Sequence, residues 1–294
     1  MSEPNDPQPR DPREHLLRDR VVLVTGAGRG IGRAVAMLAA REGARLVLCD
    51  LGCDVEGEGG DPGVVEAVAA ELRALGADVE AAADDVSRPD AMERLVGRAL
   101  ARFERLDGVV HAAGVWCDHS ILRTTPEALE RVLAVQLGAA FAAVRVAGQA
   151  MVERKTGGSI VLMAGTSAFF GARGHAAMGA AQAGVVALAR SAALELRRHR
   201  VRVNAVCPTA RTRQTDALPT FAAIDEGSLS PEHVAGIVGF LLSDLAEEVH
   251  GEAVGVAGSR TYAIRAREST GAFGEAKPLD PREVRALWPE VLKP

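Results

Sequence analysis

Tyrosine occurs once in this 294-residue chain, aromatic residues together amount to 3%, and there are four cysteines. With so few rings the interior has to be built from Ala, Val and Leu, and an apolar content of 48% is ample for that. The cysteines, at 49, 53, 117 and 207, lack paired Cys-x-x-Cys spacing. That excludes the usual zinc modules, and the number is low for a disulfide framework, so reduced, buried thiols and no metal site are expected. No stripe gathers the basic residues, and the net charge is -5, which argues against a nucleic-acid partner. The first twenty residues carry Pro, Asp and Arg but no apolar segment of signal-peptide length. Val132 to Val152, the least polar long run, includes Gln136, Arg145 and Gln149, and Arg at mid-membrane costs roughly 2.5–3.5 kcal/mol on insertion scales. A core helix, no membrane contact and a cytoplasmic location are therefore expected.

What the chain does have is VVLVTGAGRGIG, Val21 to Gly32. Four apolar β-formers make a strand buried on both faces, and from Gly32 the pattern becomes helical. Gly26, Gly30 and Gly32 fill the turn between them, and a second apolar run, Arg45 to Cys49, ends in Asp50. A glycine turn between strand and helix lets the backbone approach a pyrophosphate and aims the N–H groups of the helix start at its charge. Glycine turns also exist for conformation alone; the strand, the helix and the acid about 20 residues on raise the dinucleotide reading.

Residues 1–18, polar and proline-bearing, are expected to form a disordered leader. A polar insertion from Gly52 to Gly63 suggests a surface loop beside the adenosine end of the site. Val64, Val65, Val68, Leu72 and Leu75 share one helical face, a strand follows at 78–83, and Ser87 is a plausible N-cap for a helix through Phe103. Further strands are expected at 108–111, 159–163, 202–207 and 252–256, and helices at 126–151, 176–199 and from Ser230 to about Leu242. Such alternation predicts a Rossmann-type three-layer α/β/α sandwich with a mainly parallel, seven-stranded sheet. One domain then spans 19–260, and 261–294, poor in periodic apolar positions, is a tail.

Thr-Gly-x-x-x-Gly-x-Gly, as Thr25 to Gly32, resembles the short-chain dehydrogenase/reductase family, and the resemblance covers roughly 240 residues in motif order. It implies NAD as cofactor, bound by Gly26, Arg29, Gly30, Ile31 and Gly32 of the turn and by Asp50 and Leu51, with Asp50 accepting from the ribose hydroxyls and Arg29 in reach of a 2′-phosphate. Asp85 and Val86 inherit a place against the adenine, while Ala112, Gly114 and Pro208 inherit places further along the cofactor. Ala112-Ala113-Gly114 stands where Asn-Asn-Ala-Gly is usual, with the first two positions changed. Asp50-Leu51-Gly52 and the stretch Pro208 to Thr215 are similar to the hydroxyacyl-CoA dehydrogenase unit of multifunctional β-oxidation enzymes, which implies an acyl-CoA-like or other bulky carbonyl or hydroxyl substrate.

Family members protonate the substrate oxygen with Tyr-x-x-x-Lys, two side chains one helical turn apart, the ammonium lowering the phenol's pKa. The single tyrosine here, Tyr262, is followed four positions on by Ala266. With Gly171, Ala183 and Gly184 as landmarks, Met178 takes the tyrosine slot and Gln182 the lysine slot, Gly165 the serine slot and Gln136 that of the helix asparagine. Thioethers donate no proton. Ser167 and His175 are the nearby substitutes, each with solvation or capping as the blander role. The resemblance thus predicts a catalytically degenerate NAD-binding protein, a pseudoenzyme acting as a binding or complex-forming subunit. It would form a homo-oligomer, or a hetero-oligomer with a family homologue, and have room for a small-molecule ligand. The alternative is an atypical NAD-dependent oxidoreductase, or a non-redox isomerase or lyase.

Overall fold

The run Val21 to Val24 becomes β1 (Val21–Thr25), all of it buried, because only a central strand covers both faces of four consecutive apolar side chains. The computed structural model describes residues 15–216, 218, 221, 224–225, 227–274 and 278–293. After β1 come α1 (Gly30–Arg41), β2 (Arg45–Cys49), α2 (Gly63–Ala74), β3 (Val79–Ala82), α3 (Ala91–Phe103) and β4 (Gly108–His111). The second half runs α4 (Pro126–Val132), a π-helical stretch Leu133–Gly138, α5 (Ala139–Arg154), β5 (Gly158–Met163), α6 (Ser167–Phe170), α7 (Ala176–Leu196), β6 (Val201–Thr209), α8 (Pro231–Leu242), β7 (Ala253–Ala257) and β8 (Arg260–Ala263). Strand order is β3-β2-β1-β4-β5-β6-β7-β8. β1 pairs in parallel with β2 on one side and β4 on the other, which makes the end of β1 the topological switch point.

On one face α1 packs against α2 and α8; on the other α3, α5 and α7 lie side by side. Val22, Val24, Val35, Leu46, Val68, Leu72 and Val238 belong to the first face's core, assembled from aliphatic residues as the shortage of rings requires. A smaller cluster, Val115, Cys117, Val132, Ala177, Met178 and Ala181, sits between the loop after β4 and the start of α7. Two stretches, Pro126–Arg154 and Ala176–His199, are long and apolar enough to cross a membrane by length and composition, and in the fold one side of each is buried.

Several expectations need correction. The sheet has an eighth strand, β8, which turns back antiparallel along β7 and carries the compact unit to Ala263. The expected leader extends too far: residues 1–14 lie outside the described residues, but Leu17 is fully buried and its N–H reaches the Glu42 carbonyl at 2.9 Å. Ser87 caps nothing; α3 begins at Ala91 after Asp90, and Ser87 donates from N (2.9 Å) and Oγ (2.7 Å) to Asp85 Oδ1. The long helix from Pro126 is interrupted by the π-helical stretch. Residues 264–294 form a separate small unit containing α9 (Pro281–Val291), entered through a capping box in which Asp280 and Glu283 bond each other's backbone N–H.

Candidate functional site

β1, β2 and β4 end together at the switch point, and the glycine turn crosses in front of them. Gly26 has φ +67° and any Cβ there would stand 2.6 Å from Ala113 N, while a Cβ on Gly32 would stand 2.1 Å from the Gly26 carbonyl oxygen. Only glycine permits the turn to fold back this tightly. Arg29, at the N-cap of α1, makes no side-chain cap bond and the first turn contains no acid. The helix start is left uncapped, its N–H groups and positive dipole end available to an anion.

That turn is one wall of a cleft of about 230 Å³. Its lining includes Gly26, Arg29, Gly30, Ile31 and Gly32 from the turn, Asp50 and Leu51 after β2, Asp85 and Val86 after β3, and Ala112 and Gly114 after β4. Asp50 is held by two backbone donors: Gly28 N to Oδ2 and Gly52 N to Oδ1, both 2.8 Å. Eleven of the twelve residues assigned to the cofactor from sequence are thereby brought together. Pro208 is the exception, built into β6 opposite Val256 and outside the cleft lining.

Sequence reasoning missed other lining residues. Thr212, Arg213 and Gln214 line the cleft from beyond β6, and Gln214 Nε2 donates to the Gly114 carbonyl at 2.8 Å. Their signal is the stretch Pro208 to Thr215, to which all three belong. Cys53 and Gly57 of the 52–63 insertion, with Arg131 of α4 and Val135 of the π-helical stretch, also line it. No local pattern marks these. The insertion, expected at the adenosine end, reaches across to the loop after β4, where the Trp116 N–H donates to the Val55 carbonyl at 2.7 Å.

Gln136, Gly165, Met178 and Gln182, the residues the resemblance assigns to the catalytic slots, are each engaged in the fold. Gln182 lies over Gly165, where a Cβ would be 2.4 Å from Gln182 Oε1, and that same oxygen accepts the Ser167 hydroxyl. Met178 is buried, its sulfur accepting the Cys117 N–H at 3.4 Å. Gln136 is buried too, and its Nε2 donates 2.9 Å to the Val115 carbonyl. His175 packs edge-on against Trp116, with centroids 4.8 Å apart, and its Nε2 is 3.8 Å from Asp118 Oδ1; it is not part of the cleft lining.

Behind the cleft His111 is fully enclosed. Thr25 Oγ1 is 2.9 Å from Nδ1 and Nε2 is 3.1 Å from the Val135 carbonyl, so the ring is the neutral Nε2–H tautomer: a carbonyl can only accept, which leaves Nδ1 for the threonine hydroxyl. Burial pushes its pKa down to about 4. Cysteine chemistry is suppressed in the same way, burial raising Cys49 and Cys207 to about 12. All four cysteines are free, with Cys53 only half-buried rather than buried as expected. Among the described residues no group of three His, Cys, Asp or Glu could hold a metal ion.

A family model described as enoyl-(acyl carrier protein) reductase matches residues 26–258. Peroxisomal multifunctional enzyme type 2 of Mus musculus is 33% identical over 274 residues, 92% of this chain and 36% of the mouse protein. The (3R)-3-hydroxyacyl-CoA dehydrogenase of Canis lupus familiaris is 36% identical over 255 residues, 82% of this chain and 96% of that enzyme. The chain belongs to the short-chain dehydrogenase/reductase family. A short-chain dehydrogenase structure from Mycobacterium avium superposes with a TM-score of 0.83 at 32% identity, covering 95% of this chain and 98% of that one. Dehydrogenases of this family use NAD(P), and the likeness to hydroxyacyl-CoA dehydrogenases, seen in the sequence around Asp50 and Pro208, is matched among these relatives. The present chain spans about a third of the mouse enzyme, so it corresponds to one part of that protein.

Proposed function

We propose that this short-chain dehydrogenase/reductase binds NAD in the cleft but does not carry out tyrosine-dependent carbonyl reduction, and that it serves as a binding or complex-forming subunit. The observation that carries the reading is Gln182: its amide fills the space over Gly165 and takes the Ser167 hydroxyl, where the family's reaction needs an ammonium beside a phenol. Gln182, Met178 and Gln136 are uncharged, and all three are committed to contacts within the fold.

The cleft fits a dinucleotide on its own terms, since a Cβ would fill the cradle at Gly26 and Gly32 and the start of α1 is uncapped. Bound there, a nicotinamide cofactor would supply hydride chemistry. This chain's residues would hold its phosphates by backbone N–H groups around Gly30 to Gly32, and Asp50 would accept from the ribose hydroxyls. Each Asp50 oxygen has one backbone donor and further lone-pair capacity for that purpose. A 2′-phosphate would face the same carboxylate; two unit charges about 4 Å apart repel by roughly 4 kcal/mol at intermediate dielectric. Arg29, the residue that could offset this, is turned to the Cys53 carbonyl at 3.1 Å.

Association with a second copy or a homologue is supported by α5 and α7, which expose Phe141 and Leu194 beside small residues. Calorimetry on the purified protein should show NADH binding more tightly than NADPH, and assays with ketones or 3-oxoacyl thioesters should show no reduction. A missing general acid removes about 10²- to 10⁴-fold in rate. Robust reduction by the wild type that survives both His175→Ala and Ser167→Ala would overturn the degenerate-site reading; tighter NADPH binding would overturn the cofactor assignment.

A further inference from the structure

The insertion after β2 is a closed loop in its own right: the Asp61 N–H returns to the Leu51 carbonyl at 2.9 Å, and inside it Asp54 Oδ1 accepts from Glu56 N (3.0 Å) and Glu58 N (2.8 Å). Three arginines from three different elements hold its outer edge. Arg29 Nη1, in the glycine turn, and Arg213 Nη1, beyond β6, both donate to the Cys53 carbonyl, at 3.1 and 2.8 Å. Arg131, on α4, donates to the Glu56 carbonyl at 3.2 Å and pairs with Glu58 at 2.6 Å. The loop thus bridges opposite walls of the cleft, and Cys53 and Gly57 become part of its lining. Gly57 seats directly on the far wall, where a Cβ would be 2.7 Å from Val115 Cγ1.

We infer that residues 52–61 are a strap that has to lift for a dinucleotide to enter or leave, and that Arg131 and Arg213 are its latch. This rests on the dinucleotide reading of the cleft. The latch is made of exposed hydrogen bonds to carbonyls and one exposed ion pair, contacts of the kind that open locally at little cost. The segment between them buries no large apolar side chain. It can therefore swing while the sheet stays folded, hinged at Gly52, whose φ of +76° is glycine territory.

Two variants test it by stopped-flow NADH binding. In Arg131→Ala/Arg213→Ala the association rate constant should rise several-fold. Loss of two cations alone would slow the approach of an anionic ligand, so an unchanged or reduced association rate overturns the strap. In Gly57→Cys/Val115→Cys the two Cβ atoms would stand 3.7 Å apart, inside the disulfide range of about 3.5–4.5 Å, with the backbone at Gly57, whose φ is +91°, strained by the new side chain. Once the crosslink is verified by peptide mapping, NADH association and dissociation should both slow by about tenfold or more and recover with dithiothreitol. Wild-type exchange rates in the oxidised, crosslinked protein would refute the proposal. Hydrogen exchange provides a readout without cofactor: the Trp116 amide should exchange faster in the arginine double variant, and unchanged protection overturns the latch. Failure of the wild type to bind NADH at all would instead sink the cofactor reading, leaving the strap to be judged on that exchange.

Discussion

Acid should destabilise this protein through one residue well above the pH at which carboxylates titrate. His111 is 1% exposed, sits between Thr25 and the Val135 carbonyl, and is held neutral by burial, its pKa lowered from 6.5 to about 4. In the unfolded chain the ring takes a proton near pH 6.5, whereas the native state takes it only near pH 4. Stability is thus fully present above 6.5 and falls with pH through the window between the two values. The slope is about 1.4 kcal/mol per pH unit for one proton, giving a loss of about 2–3 kcal/mol between pH 7 and 4.5. Exposed carboxylates held below their usual range, Asp54, Asp90, Glu93 and Glu127, act with the same sign but at lower pH. His250 is also lowered by burial and overlaps the window, so the measurement is a comparison. Urea unfolding of wild type and His111→Asn at pH 7, 6, 5 and 4.5 should show the wild type losing about 2–3 kcal/mol more than the variant over that range. Parallel pH profiles, or an NMR titration placing the native His111 pKa near 6.5, would refute the argument.

Gly32→Ala puts a methyl 2.1 Å from the Gly26 carbonyl oxygen, so the turn has to open; NADH affinity should fall by at least about tenfold in calorimetry while the far-UV circular dichroism is retained. On the proposed reading, ketone reduction requires several substitutions together. Gly165→Ser alone collides with the Gln182 amide and should lower stability by about 1–3 kcal/mol without giving turnover. Combined with Gln182→Lys and Met178→Tyr it should produce measurable ketone reduction, and an inactive but folded triple variant that binds NADH would show that the pocket differs elsewhere. Light scattering at micromolar concentration should report a dimer or larger assembly, reduced towards monomer by Phe141→Glu with Leu194→Glu; a wild-type monomer in the absence of any partner would contradict self-association.

The glycine turn and the parallel sheet were legible because their causes are local. Four apolar β-formers followed by spaced glycines can be satisfied only by a buried strand entering a tight turn, and Asp50 at the end of the next apolar run follows from the same register. The capping box at Asp280 and Glu283 was equally local, yet the tail's weak apolar periodicity hid the helix it starts. Ser87 misled because a serine followed by a helical pattern suits a cap as well as a turn, and the Asp85 carboxylate decided in favour of the turn.

The sequence by itself determined that Gln136, Gly165, Met178 and Gln182 stand at the positions the resemblance assigns to catalysis, and no packing arrangement can supply a phenol or an ammonium that the chain does not encode there. Tertiary structure decided what those residues do instead: Gln182 and Ser167 meet across 15 positions, and the Met178 sulfur meets the Cys117 N–H across 61. It also decided that Arg29, Arg131 and Arg213 converge on one loop and that His111 is walled in behind the cleft. The physical reason is separation along the chain. Helix and strand periodicity, glycine turns and caps act over a few residues and leave their mark on the sequence; a carbonyl finding a guanidinium 160 residues away does so only after the sheet has brought both to the same edge.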